Sequence, residues 1–250
     1  MVVNILDEND NSPKFERAVK NLKIKENTPI NTKFELPQVS DGDSSPLDVR
    51  SFILEQETKG PKAFEVESKL VDGKMQAELK TVAELDHEKT PVYSLNVIAK
   101  DGGDPARNGV LKVQVELEDV NDNAPRFNQS KFTVSVSEDL KTGQLVANIR
   151  AFDPDGPQYN ILTYSIEGSD HFYVDSNSGN IYLKQEVDAE SNVVYSFELK
   201  AADNGNPELT NSTRVEVRVT NVNDNDPIIR VEYLPPGFNS VSETLILLFE

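Results

Sequence analysis

The chain has 250 residues, of which 37% are hydrophobic, and its 43 acidic and 25 basic side chains give a net charge of −18. Such a charge argues against nucleic acid or an anionic membrane surface as partner and favours cation binding. The chain has no cysteine and only two histidines, so disulfides are excluded and a zinc site is not expected.

The start of the chain, residues 1–7, shows no basic segment, long apolar run or cleavage site, so no signal peptide is predicted. Residues 2–6 resemble the last strand of a domain, and residues 228–233 resemble the first strand of another. We therefore interpret the sequence as an interior segment of a longer protein. Its longest apolar run, residues 245–249, is too short to span a bilayer.

Period-2 alternation of apolar residues dominates the chain, and no segment shows a convincing helical period. Predicted strands in the first full unit cover residues 22–24, 49–54, 64–66, 92–99 and 110–117. Those of the second unit cover residues 132–136, 145–151, 162–166, 180–183 and 195–201, with a further strand through Val215, Val217 and Val219. Short strands separated by Gly, Pro, Asn and Asp turns predict an all-β chain of tandem Greek-key, immunoglobulin-like β-sandwiches.

The two full units differ in length at one place. The first unit carries about ten extra residues around residues 55–73, which predicts a longer hairpin or loop there.

A cluster of Asp and Asn that ends in proline occurs three times, at residues 7–13, 119–125 and 221–227. The copies lie about 105 residues apart, which is the length of a domain. They divide the chain into the end of one repeat (1–13), two complete repeats (14–125 and 126–227) and the start of another (228–250). Proline fixes its own φ and favours an extended preceding residue, so the clusters are predicted to be stiff linkers.

Other acidic residues also recur in the same order in both full units. Glu26 corresponds to Glu138, Asp41 and Asp43 to Asp153 and Asp155, Asp86 and Glu88 to Asp188 and Glu190, and Asp101 to Asp203. Carboxylate, amide and carbonyl oxygens are the ligands that Ca²⁺ prefers. Solvated Asx turns are the alternative for any one cluster, but three copies at domain spacing favour calcium.

These elements, in this order, resemble the cadherin superfamily over essentially the whole chain. Residues 34–37, the turn at residues 101–105 and residues 228–233 are most similar to the second, third and start of the fourth extracellular repeats of a protocadherin. The resemblance implies three Ca²⁺ ions at each complete junction between repeats.

At the central junction the resemblance implies ligands for an outermost, a middle and a third ion. The outermost ion takes Glu26, Asp86, Glu88 and Asp122. The middle ion takes Glu26, Glu88, Asp119, the Val120 carbonyl, Asp122 and Asp155. The third ion takes Asn121, the Asn123 carbonyl, Asp153, Asp155, the Asn160 carbonyl and Asp203.

The other two junctions lack part of this set. At the first, Asp7, Asn9, Asp10, Asn11, Asp41, Asp43 and Asp101 are available, with Asp48 where the second unit has Asn160. Only the third-ion position is expected there. At the last, Glu138, Asp188, Glu190 and Asp224 are in place, but Asn221 replaces the usual aspartate and should weaken the middle site.

An enzymatic role is not expected, because clustered acids that could form a glycosidase pair recur at equivalent positions in both units. His87 and His171 are interpreted as surface or strand-edge residues. Asn128 and Asn211 begin glycosylation sequons, which are interpreted either as occupied sites or as unmodified polar turns.

The resemblance implies a calcium-dependent cell-cell adhesion ectodomain at the extracellular face of the plasma membrane, with its anchor outside this chain. Its partner would be another cadherin ectodomain, bound homophilically and antiparallel, with no nucleic acid or small-molecule substrate. The segment around residues 55–73 would contribute to partner choice. A rigid, non-adhesive spacer in a giant cadherin of the Fat or Dachsous type is the alternative.

Overall fold

The computed structural model describes residues 6–44 and 46–223, which fall into two compact units. One comprises the described residues up to Pro125 together with Phe152–Ile161 and Asp203–Leu209. The other comprises Arg126–Ala151, Leu162–Ala202 and the described residues from Thr210. No helix occurs in the part of the chain that is described, and therefore none there could cross a membrane.

The first unit contains nine strands in chain order. They are β1 (Lys14–Phe15), β2 (Val19–Lys25), β3 (Lys33–Glu35), β4 (Val39–Ser40), β5 (Ser51–Gln56), β6 (Phe64–Val71), β7 (Lys74–Thr81), β8 (Val92–Lys100) and β9 (Asn108–Glu118). Four form a sheet in the order β2-β9-β8-β5, and three form a second sheet in the order β3-β7-β6, while β1 pairs with β4. The β2–β9 pair is parallel and the other pairs are antiparallel.

The second unit repeats this plan. Its strands are β10 (Arg126–Phe127), β11 (Lys131–Ser137), β12 (Leu145–Asn148), β13 (Ala151–Phe152, at the boundary of the unit), β14 (Thr163–Glu167), β15 (Phe172–Val174), β16 (Asn180–Leu183), β17 (Val194–Ala202) and β18 (Thr210–Thr220). The sheets have the orders β11-β18-β17-β14 and β12-β16-β15, and β10 pairs with β13. Again the pair of the first and last long strands, β11–β18, is parallel.

Alternation along the long strands builds each core. In β9, Leu111, Val113, Val115 and Leu117 are buried, whereas the residues between them are exposed. They share one core with Phe64 and Leu79 of the opposite sheet. The second unit has an equivalent core in which Ile181 and Leu183 join Leu199, Val215 and Val217. Each unit is therefore a β-sandwich, which confirms the predicted fold class.

The extra residues of the first unit form a long hairpin of β6 and β7. Its turn residues Asp72 and Gly73 both have positive φ, at 50° and 78°, which is the conformation that two-residue hairpin turns require. On the outer face of this hairpin, ion pairs link Lys33, Lys69 and Lys80 to Glu67 and Glu78. The corresponding strands of the second unit, β15 and β16, are shorter.

The predicted strand over residues 145–151 is wrong in its middle. The structure ends β12 at Asn148 and begins β13 at Ala151, with a register shift between Leu145 and Ala147. Ile149 turns into the core and is 4% exposed. The predicted start of β5 is also two residues early, since Val49 and Arg50 precede the strand.

Candidate metal centres

The predicted ligands follow the ends of strands, where the backbone ladder stops and side chains can converge. Glu26 comes directly after β2, Asp119 after β9 and Asp203 after β17. Asp101 and Asp153 follow β8 and β13 in the same way. All of the residues predicted for the first and central junctions lie in the first unit, because that unit includes the loops 152–161 and 203–209.

Glu26 joins three segments of the central cluster. It is 2% exposed, and its two carboxylate oxygens accept hydrogen bonds of 2.7 Å from the backbone N–H groups of Val120 and His87. Burial raises the pKa of Glu26 despite these bonds. Burial therefore makes the charged form of Glu26 less favourable than it is in water, and a nearby cation would offset this cost.

Acidic side chains crowd around Glu26. Oxygens of Glu26, Asp86 and Glu88 lie within 4.8 Å of one another, as do those of Glu88, Asp122 and Asp155. Burial, followed by smaller repulsive effects of neighbouring carboxylates, raises the pKa of Glu88. Burial also raises the pKa of Asp155, although Asn123 donates two hydrogen bonds to it.

The inner part of the central cluster is built from Asp153, Asp203 and Asn121. Asp203 is 2% exposed, and its Oδ1 accepts backbone hydrogen bonds from Gly205 and Leu209 at 2.9 and 3.1 Å. Asp153 Oδ1 accepts from the Asp155 N–H at 3.1 Å, and burial raises the Asp153 pKa. The second oxygen of each aspartate, and Oδ1 of Asn121, are buried without a hydrogen-bond partner.

Asn160 also reaches this part of the cluster. Its side-chain amide donates to the backbone carbonyl of Asp155 at 3.2 Å. The predicted ligand atom of Asn160 is its own carbonyl oxygen, so this contact fixes the loop that carries it.

The first cluster reproduces the inner arrangement. Oxygens of Asp41, Asp43 and Asp101 lie within 4.8 Å of one another. Asp101 Oδ1 accepts from the N–H groups of Gly103 and Arg107 at 3.0 and 2.9 Å, as Asp203 does in its own loop. Burial raises the pKa of Asp41.

The other residues predicted for the first junction make local contacts. Asp7 accepts two hydrogen bonds from Ser44, which lower the Asp7 pKa, and Asp10 accepts one from Asn11. Asn11 also binds Asp43, while Asp48 accepts from the N–H of Val49.

Buried oxygens without partners coincide with the predicted ligands. Among the described residues, the buried side-chain polar atoms that lack a hydrogen-bond partner belong to Asn9, Asp41, Asp101, Asn121, Asp153, Asp203, Glu88 and Asp119. Three of them, Asn9, Asp41 and Asp101, belong to the predicted third-ion position of the first junction, and Asn121, Asp153 and Asp203 are their equivalents at the central junction. Glu88 and Asp119 are predicted ligands of the middle ion. Native proteins rarely leave buried oxygens unpaired, so the pattern is one that a bound cation would explain.

The last cluster lies in the second unit. Oxygens of Glu138, Asp188 and Glu190 lie within 4.8 Å of one another, and Glu138 accepts from the backbone N–H groups of Ala189 and Val222. The Asn221 amide donates a hydrogen bond to Glu190 Oε1. In the central cluster the corresponding residues are Asp119 and Glu88, and each has a buried carboxylate oxygen without a hydrogen-bond partner. Asp224 and the strand predicted at residues 228–233 lie outside the described residues.

Sequence reasoning missed two partners of the central ligands. The Asn27 amide donates to Asp122 at 2.5 Å, and the Lys89 ammonium donates to Asp86 at 2.5 Å. Asn27 adopts a left-handed φ of 56° beside Glu26, and local sequence patterns do not indicate such a contact. Lys89 lies three residues after Asp86 in the same turn, so this ion pair could have been predicted from the spacing of the two residues.

Both sequon asparagines, Asn128 and Asn211, are exposed, as modification by a glycan would require.

Comparison with known proteins identifies the chain. The family model described as the cadherin domain matches residues 20–118 and again 132–220. The chain belongs to the cadherin family. Cadherin domains are non-enzymatic extracellular repeats that bind Ca²⁺ at their linkers, and the acidic clusters of this cadherin segment lie where such linkers are expected.

Individual relatives and structures agree with this assignment. Protocadherin gamma-A5 of Homo sapiens is 36% identical over 99% of this chain and 27% of its own length. Protein dachsous of Drosophila melanogaster is 33% identical over 94% of this chain and 7% of its own length. The solved structure of extracellular cadherin domains 1–4 of protocadherin gamma B7 superposes with a TM-score of 0.83 at 30% identity, covering 97% of this chain and 59% of that one.

The cadherin segment therefore spans about a quarter or less of the length of these curated relatives. Its relatives include protocadherins, in agreement with the resemblance in the sequence.

Proposed function

We propose that the chain is part of a calcium-dependent adhesion ectodomain whose repeats are held in a fixed relation by Ca²⁺ at their junctions. The supporting observation is that the buried, unpaired side-chain oxygens of the described residues all belong to predicted calcium ligands. We further propose boundaries at 13/14, 125/126 and 227/228 for the repeats, as the three clusters indicate.

The proposed ligands follow the sequence prediction. At the central junction Glu26, Asp86, Glu88 and Asp122 would hold the outermost ion. The middle ion would be held by Glu26, Glu88, Asp119, the Val120 carbonyl, Asp122 and Asp155. The third would be held by Asn121, the Asn123 carbonyl, Asp153, Asp155, the Asn160 carbonyl and Asp203. We propose one ion at the first junction and an incomplete set at the last.

Electrostatics gives the ions a mechanical role. Two carboxylates about 4 Å apart repel by roughly 4 kcal/mol at an effective dielectric constant near 20. Without cations, the segments that carry Glu88, Asp119, Asp122 and Asp155 are therefore driven apart. Extracellular modules bind Ca²⁺ with a Kd of about 0.1–1 mM, so a site with a Kd near 0.1 mM contributes about 1.4 kcal/mol at about 1 mM calcium. Three such sites would together contribute about 4 kcal/mol of free energy that favours keeping these segments together.

For recognition, we propose antiparallel, homophilic contact with a second ectodomain, to which the long hairpin of the first unit contributes. The hairpin ends in Leu70 and Val71, which are 67% and 39% exposed. Apolar side chains at the tip of an exposed hairpin are suited to burial against a partner.

Sedimentation equilibrium of the whole ectodomain in 1 mM calcium, with and without chelator, tests this proposal. We expect a dimer in calcium that Leu70→Ser weakens without lowering the melting temperature. Val19→Ser, which changes another apolar residue that is 50% exposed on β2, should leave the dimer intact. Equal effects of the two substitutions would contradict a role for the hairpin.

The match to dachsous supports a second candidate, a rigid spacer within a very long cadherin that binds its partner elsewhere. A monomer in calcium and in chelator alike, combined with a calcium-dependent rise in melting temperature, would favour the spacer.

A further inference from the structure

His87 lies at the edge of the central cluster with its imidazole beside two of the unpaired carboxylate oxygens. Its Nδ1 is 3.5 Å from Glu88 Oε1 and 4.0 Å from Asp119 Oδ1, and one ligand atom from each of the three residues lies within 4.8 Å of the other two. The turn that carries His87 is fixed, because the His87 N–H donates to the buried Glu26 carboxylate at 2.7 Å.

The two carboxylates are prepared for a ligand that the protein itself does not supply. The Asp119 side chain is 6% exposed, and its Oδ2 accepts from the Gly156 N–H at 2.8 Å, which directs Oδ1 towards His87. Asp119 Oδ1 and Glu88 Oε1 are both buried and have no hydrogen-bond partner. The Glu88 side chain is 18% exposed, so both acceptors are largely withdrawn from water.

We infer that His87, Glu88 and Asp119 form a binding site for a transition-metal dication of the zinc class. Imidazole nitrogen suits Zn²⁺ and Co²⁺ but is a poor ligand for Ca²⁺, which takes oxygen. Metal–ligand bonds of about 2.0–2.2 Å place tetrahedral ligands about 3.3–3.6 Å apart. The His87–Glu88 separation of 3.5 Å already meets this spacing, and the His87–Asp119 separation of 4.0 Å exceeds it by about half an ångström. The ligand atoms of Glu88 and Asp119 lie within 4.8 Å of each other, so a bound ion would draw the two carboxylates together.

Access and coordination are compatible with this site. A cleft of about 670 Å³ opens beside it and is lined by His87, Asp119, Gly156 and Tyr159 among others. Solvent can therefore reach the imidazole, which is 29% exposed, and can supply the fourth ligand.

The site shares Glu88 and Asp119 with the proposed middle calcium ion, so the two metals should exclude each other. Only this competition rests on the proposed function, since the three-residue site itself does not require calcium to bind. A zinc-class ion would thus act on the same junction while engaging an imidazole that calcium does not use.

Titration of the calcium-free chain with Co²⁺, followed by its visible absorption, tests the inference. We expect a saturable tetrahedral spectrum that Zn²⁺ abolishes, and an affinity about tenfold or more weaker in His87→Gln. His171→Gln is the matched control and should leave the spectrum unchanged, because His171 packs against Tyr195 in the second unit, with ring centroids 4.7 Å apart and an interplanar angle of 48°.

An unchanged affinity in His87→Gln, or an equal loss in His171→Gln, would overturn the site. Saturating calcium should remove the cobalt spectrum, and a His87-dependent spectrum that survives calcium would overturn the shared ligands. Failure of calcium to raise the melting temperature would instead refute the proposed function and leave the cobalt result standing.

Discussion

Asp122→Ala separates metal binding from folding at the central cluster. Asp122 is exposed, and it accepts hydrogen bonds from the amides of Asn27 at 2.5 Å and Asn123 at 2.7 Å. It is a proposed ligand of both the outermost and the middle ion. Its removal should therefore abolish two of the three proposed sites while each sandwich stays folded.

The expected loss follows from the affinity of such sites. At about 1 mM calcium and a Kd near 0.1 mM, two sites contribute about 2.8 kcal/mol together. For a domain of about 100 residues this corresponds to about 10 °C or more in melting temperature. In chelator the variant should melt within a few degrees of the unchanged protein, because lost surface hydrogen bonds of about 1 kcal/mol each are offset by reduced repulsion.

Differential scanning calorimetry in 1 mM calcium and in chelator measures both quantities. Asp10→Ala is the matched control, since Asp10 occupies the same place in the first cluster and accepts a 2.7 Å hydrogen bond from Asn11, as Asp122 does from Asn123. It is not a ligand of the single ion proposed there. A full calcium response in Asp122→Ala, or an equal loss in Asp10→Ala, would refute the reasoning.

Three other changes test separate parts of the structure. Asn221→Asp places a carboxylate against Glu190, so by calorimetry the melting temperature should fall in chelator and the calcium response should increase. In Gly205→Ala the new Cβ would lie 2.1 Å from the Asn121 amide, so Asn121 must move and calorimetric titration should show weaker binding of one ion. For Glu67, hydrogen bonds from Lys33 and Lys80 lower the pKa to about 2 from 4.5. The stability lost in Glu67→Gln should therefore be constant above pH 4.5 and vanish as the pH falls through about 2, as thermal melts in chelator would show. Because the Glu67 side chain is 35% exposed, solvent screens its ion pairs, and the loss should be small and reduced by salt.

Much of the fold could be predicted from the sequence, because buried apolar and exposed polar residues alternate along the long strands. The predictions for β8, β9, β17 and β18 lie within the observed strands. Strand β7 was missed although Ala77, Leu79 and Thr81 alternate with polar residues, since only Met75, Ala77 and Leu79 of its 8 residues are apolar. The break at Ile149 depends on pairing with a distant segment, where its N–H donates to Gly179, and local periodicity does not report this.

The acidic clusters were likewise predictable as groups, because their members recur in order in both units. Their individual contacts were not predictable. The proximity of His87 to Asp119 depends on how a turn after residue 85 meets the end of β9, and the Asn27–Asp122 bond depends on a left-handed backbone conformation. Side-chain geometry between segments distant in sequence is fixed only when the fold is complete.

The matching loops around Asp101 and Asp203 give each inner metal position its own spectroscopic reporter. The amide protons of Gly103 and Arg107 point at one carboxylate, and those of Gly205 and Leu209 point at the other. Their nuclear magnetic resonance frequencies and exchange rates will respond to charge neutralisation at that carboxylate. Occupancy can thus be followed at two places in a single sample, where a bulk titration would return only their sum.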